Sequence, residues 1–100
     1  MKEFKGTKLE WVRDGKMVYA LEDGENRFYA AFYPGRNCLK GESEANAQLA
    51  MAAPDLLEAL QDLLSGWKYI RAQHGDLYGV GWDRAQDKAQ AAISKALGEE

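Results

Sequence analysis

A chain of 100 residues and 11.2 kDa, 46% hydrophobic and 29% charged, has the make-up of one small globular domain whose modest core leaves no room for a second. No apolar run approaches the roughly 20 residues that a bilayer requires, and Lys2 and Lys5 are followed by no apolar stretch of a secretory leader. The formal charge of -3 divides unevenly, with eight Lys/Arg against six Asp/Glu in residues 1–40 and five against ten in residues 41–100, which argues against the clustered basic surface that direct nucleic-acid binding needs.

From Lys8 to Tyr33 the chain favours strands, with Trp11, Val12, Val18, Tyr19, Phe28, Tyr29, Phe32 and Tyr33 crowded into a short span. Two Asp-Gly pairs punctuate it. Asp14-Gly15 joins Leu9–Arg13 to Lys16–Glu22, and Asp23-Gly24, with Glu25 and Asn26, joins that run to Arg27–Tyr33. Glycine supplies the positive φ that a type I′ turn demands, so the expected unit is a three-stranded antiparallel meander over about residues 8–33. Along the third run Phe28, Ala30 and Phe32 alternate with Tyr29, Ala31 and Tyr33, so one sheet face takes the helices and the other stays open. Pro34-Gly35 ends the strand, and a polar connection carrying Cys38 follows.

From Glu42 the sequence turns helical. Ser43 suits an N-cap, and Glu42 and Glu44 suit the positive end of the helix dipole. Pro54 lacks an N–H and crowds the preceding turn. It divides the region into helices over about 42–53 and 54–74, or else kinks a single long one. The second stretch carries Leu56, Leu57, Leu60, Leu63, Leu64, Trp67 and Ile70 at helical spacing, a broad stripe expected on a core, with Leu60 and Leu64 deepest. Gly66 is a weak point in it. His74-Gly75-Asp76 reads as the stop. After a glycine-rich loop, a last helix over about 82–97 lines up Ala85, Ala89, Ala92, Ile93, Ala96 and Leu97. The expected fold is therefore α+β, with the meander packed against two or three helices in one domain spanning 1–100.

Few residues here suggest chemistry. His74 is the only histidine, and Ser43, Ser65, Ser94 and Cys38 stand in no nucleophile motif. One histidine and one cysteine far apart make no closed zinc site, and Asp76, Asp83 and Asp87 lack the spacing of a calcium loop. Gly75, Gly79 and Gly81 match neither phosphate-binding fingerprint. Cys38 has no internal disulfide partner. The reading is a non-enzymatic protein with no catalytic residue, no cofactor and no metal. Aromatic residues are enriched at interface hot spots, so the candidate partner-binding residues are Tyr29 and Tyr33, which stay on the open sheet face if the helices cover the Phe28/Phe32 side, with Tyr78 and Trp82 around the glycine-rich loop.

Residues 42–60, E-S-E-A-N-A-Q-L-A-M-A-A-P-D-L-L-E-A-L, resemble a segment that recurs in small bacteriophage and prophage proteins with no assigned chemistry. Those proteins also combine a short β-rich amino-terminal part containing a Trp with a Leu-rich and then an Ala-rich helix. The resemblance implies a phage-encoded accessory protein of the bacterial host cytoplasm that binds a host macromolecule, foremost a host protein. Some such proteins inhibit a host process or defence system. The alternative it leaves is a homo-oligomeric structural phage component.

Overall fold

Two glycine turns set the path of the amino-terminal chain. The computed structural model describes residues 3–74 and 80–99, with β1 (Val12–Asp14), β2 (Met17–Glu22) and β3 (Glu25–Ala31) followed by α1 (Glu42–His74) and α2 (Val80–Leu97). The three strands form one antiparallel sheet in the order β1-β2-β3, and the architecture is α+β.

Asp23 and Gly24 both take positive φ, 54° and 80°, and close the two-residue hairpin between Glu22 and Glu25, as a type I′ turn requires. The first hairpin differs from the sequence expectation. Asp14 stays in β1 and pairs with Met17, so Gly15 and Lys16 form the turn, with Gly15 at φ 62° in its first central position. The third strand begins at Glu25, earlier than Arg27, because the tight Asp23-Gly24 turn leaves Glu25 already opposite Glu22. A bulge between Ala20 and Leu21 pairs Leu21 with Asn26 and Ala20 with Phe28, which leaves Arg27 without a position in the ladder.

The chain divides into two compact units. In Gly6–Pro54 the sheet buries Val18 and Ala20 of β2, and α1 buries Ala47 in its early turns. Phe28 lies opposite Ala20 on the same face, and Trp11 meets it edge to face with ring centroids 4.8 Å apart. Arg13, opposite Val18, donates from Nε to Gln48 Oε1 at 2.7 Å and from a terminal nitrogen to the Gly15 carbonyl at 2.6 Å. The bond to Gln48 ties the early turns of α1 to the Val18 face of the sheet.

The other unit contains Asp55–Glu100 and the residues up to Lys5. There the later part of α1 packs against α2, with Leu64 and Ile93 buried. Trp67 Nε1 donates to Gln86 Oε1 at 2.6 Å, an Arg71 guanidinium nitrogen reaches the same oxygen at 3.4 Å, and Lys68 Nζ donates to Gln90 Oε1 at 3.3 Å.

Pro54 does not end a helix, since α1 continues through it from Glu42 to His74. A proline in a helix interior costs about 3 kcal/mol, and the alanines before it and leucines after it are strong helix formers that carry the helix past the missing bond. The expected boundary between helices at 53 and 54 is therefore absent, and the single-helix alternative is the one adopted. Two further expectations change. α2 begins at Val80, two residues before Trp82. The leucine stripe is only partly core: Leu64 is 4% exposed and Leu60 half-buried, yet Leu56, Leu63 and Ile70 are 53%, 71% and 41% exposed. Apolar side chains that spread this far around one helix exceed what a single neighbouring helix covers.

Candidate interaction surface

The pairing register sorts the sheet into two faces. Arg13, Val18, Ala20, Phe28 and Ala30 share the face that α1 meets, and Val12, Met17, Tyr19, Tyr29 and Ala31 share the other. Val12, Tyr19 and Tyr29 form one row across all three strands, because Tyr19 is paired on either side with the other two. The Tyr19 and Tyr29 rings lie 6.3 Å apart, tilted by 36°. Tyr29 is 61% exposed while Tyr19, in the central strand, is half-buried. Rings held side by side on a pleated surface lose little further conformational freedom on binding, which is why tyrosine is favoured where proteins meet.

Tyr33 lies just beyond β3 and is 76% exposed. Lys16 Nζ sits 4.5 Å from its ring centroid, a cation–π contact, and the Phe32 amide extends the ladder by donating to the Lys16 carbonyl at 2.9 Å. Of the four residues expected to bind a partner, Tyr29 is thus on the open sheet face and Tyr33 is exposed at its end. Tyr78 lies outside the described residues, and of Trp82 only its place in α2 is described.

Sequence reasoning missed Tyr19 and Leu21. Tyr19 completes the aromatic row, and Leu21, beside the bulge, is 51% exposed. The alternation of β2 alone could have found Tyr19, since it falls out of phase with Val18 and Ala20. Leu21 lies two residues beyond Tyr19, so the same alternation puts it on the open face. At the free edge of β3, Glu25 and Arg27 are charged, and Arg27 pairs with Glu22 across the turn at 2.8 Å. Charges along an edge discourage strand addition, which makes the face rather than the edge the surface open to a partner.

A second feature of this unit surrounds the start of α1. Lys16, Pro34, Cys38, Leu39, Lys40, Gly41, Ser43 and Glu44 line an open hollow of about 320 Å³. The Leu39 amide, ahead of the helix, donates to Glu42 Oε2 at 2.7 Å, so the Glu42 side chain fastens the incoming chain to the start of α1. That bond, with a second from Cys38, holds the Glu42 carboxyl below the usual carboxylate range. Ser43, expected as the cap, is instead buried, with its Oγ 3.6 Å from Cys38 Sγ. Cys38 and Ser43 have structural partners here. Among the described residues, no three His, Cys, Asp or Glu side chains gather where they could hold a metal ion.

No helix among the described residues is long and apolar enough to cross a membrane. No curated protein and no solved structure matches the chain. The model of one protein family, described as Salmonella phage P22 protein Y8K6, matches residues 1–100, and the chain belongs to that family of phage proteins.

Proposed function

We propose that this protein is a non-enzymatic phage accessory protein that binds a host protein in the bacterial cytoplasm, and that by occupying it the phage protein inhibits a host process. The observation that carries the reading is the tyrosine row on the open sheet face. Tyr29 presents an exposed ring beside Tyr19, on a surface whose opposite side is already spent on α1. A small antiparallel sheet with one face on a helix and one face rich in tyrosine leaves its apolar and polar ring atoms together in water, the combination that protein interfaces use. The phage family supplies the context, a small protein made in an infected bacterium.

The test is affinity capture from host lysate, treated and untreated with nuclease, followed by identification of what is retained. A single host protein that survives nuclease treatment supports the reading. Retention of nucleic acid alone, lost on nuclease treatment, refutes it.

A further inference from the structure

We propose that the helical unit is a self-association face: a second copy of this chain packs α1 over α2 of the first, closing a four-helix bundle. The inference is independent of the sheet surface, because every residue it uses lies in Asp55–Glu100.

The face begins with the leucines that the fold leaves uncovered. Leu56, Leu63 and Ile70 recur every seven residues, so they form one line along α1, and all three are exposed. Leu64, one residue beyond Leu63 and about 100° further round the helix, is buried towards α2. Between the helices Leu60, Leu63, Leu64, Trp67, Ala85, Gln86 and Ala89 line an almost wholly apolar groove of about 130 Å³, open on one side. On that same side α2 offers small residues, with Ala85, Ala92 and Ala96 exposed and Ala89 half-buried. One helix therefore carries large side chains and the other carries small ones.

Charge divides in the same way. Asp55 and Asp62 each precede a stripe leucine by one residue, which puts them on the outer flank of α1, away from α2. Lys88 and Lys95 each precede a groove-side alanine by one residue, which puts them on the outer flank of α2. All four are exposed. The open face thus has a leucine side with an acidic rim and an alanine side with a basic rim.

A two-fold axis parallel to the helices places α1 of each copy over α2 of the other. Leucine then meets alanine, acidic rim meets basic rim, and every neighbouring helix pair is antiparallel. The level along the helices agrees. Trp67 meets Gln86 and Lys68 meets Gln90, so Asp62 comes level with the stretch of α2 just after Lys88 and around Lys95 in the second copy, within about one turn of Lys95 and about two of Lys88. The opposite stacking, α1 over α1, would set Asp62 against its own copy and leave leucines against leucines beside alanines against alanines. The face is about 24 Å long over residues 55–70 and about 20 Å wide across two helices. With side-chain relief that is the scale of the roughly 800 Å² each partner contributes to a stable dimer.

The measurement is mass in solution by light scattering across a dilution series of the full chain. The expected mass is twice 11.2 kDa at high concentration, returning to 11.2 kDa on dilution. Leu63→Glu, at an exposed position that the monomer fold does not need, should leave the circular dichroism spectrum unchanged and abolish the dimer. Asp55→Lys with Asp62→Lys should weaken association at least tenfold, and Lys88→Glu with Lys95→Glu should do the same. All four substitutions in one chain should restore it. A wild-type mass of 11.2 kDa at every concentration overturns the proposal, as does a dimer indifferent to Leu63→Glu or a four-residue swap that fails to rescue.

Discussion

The sheet unit and the helical unit solve the same problem in opposite ways. Both are built from elements with more apolar surface than their own unit covers. In the sheet, strict alternation sends the surplus to the far side, so Val18 and Ala20 are buried while the neighbouring Tyr19 and its partner Tyr29 face away. In α1 the surplus turns only part of the way round the helix, so buried Leu64 directly follows Leu63, which is 71% exposed. The comparison teaches that adjacent residues of the same type serve different purposes, and that the period of the element decides which is which.

The sharpest way to break that comparison is to shorten both leucines. Leu64→Ala should destabilise the protein by about 2–5 kcal/mol. Leu63→Ala should change stability by less than about 0.5 kcal/mol, as surface positions do, when chemical denaturation is followed at concentrations where further dilution leaves the midpoint unmoved. Equal losses at the two positions would mean that the stripe is covered all round. The sheet gives a smaller effect at its turn. Gly24 sits at φ 80°, and Gly24→Ala should cost about 1–2 kcal/mol in the same denaturation experiment. By contrast Gly66 lies exposed inside α1 with open space around the position of a Cβ, so Gly66→Ala should raise stability by about 0.5–1 kcal/mol.

The smallest expected effect is at the bond from the Leu39 amide to Glu42. Glu42 is held below its usual range by the Leu39 amide, so its folded value lies under its unfolded one. Its contribution is therefore present above the unfolded value and is lost as pH falls through the lowered folded one. Wild type should lose slightly more stability than Glu42→Gln over that interval. Parallel pH profiles would contradict a role for that bond.

Much of this architecture was legible in the residues. Asp-Gly pairs between aromatic runs sufficed for the meander, because positive φ at glycine is a local requirement that nothing distant overrides. Alternation set Tyr29 and Phe28 on opposite faces, and it is the structure that puts α1 on the Phe28 face. Three features were not legible. Continuation of α1 through Pro54 depends on what lies on both sides, and a local rule about proline reads only one. The bulge that leaves Arg27 out of the ladder has no sequence signature of its own. The division of the leucine stripe into core and surface depends on how wide a surface α2 presents, and α2 presents mostly alanine.

The central claim is that the tyrosine row binds a host protein. Its most direct test compares the amount of captured host protein retained by the wild type and by Tyr29→Ala under identical conditions, with circular dichroism to show that both are folded. Tyr29 is exposed and unnecessary to the buried face, so the account expects an unchanged fold and at least tenfold weaker retention. Equal retention by the two proteins would contradict it.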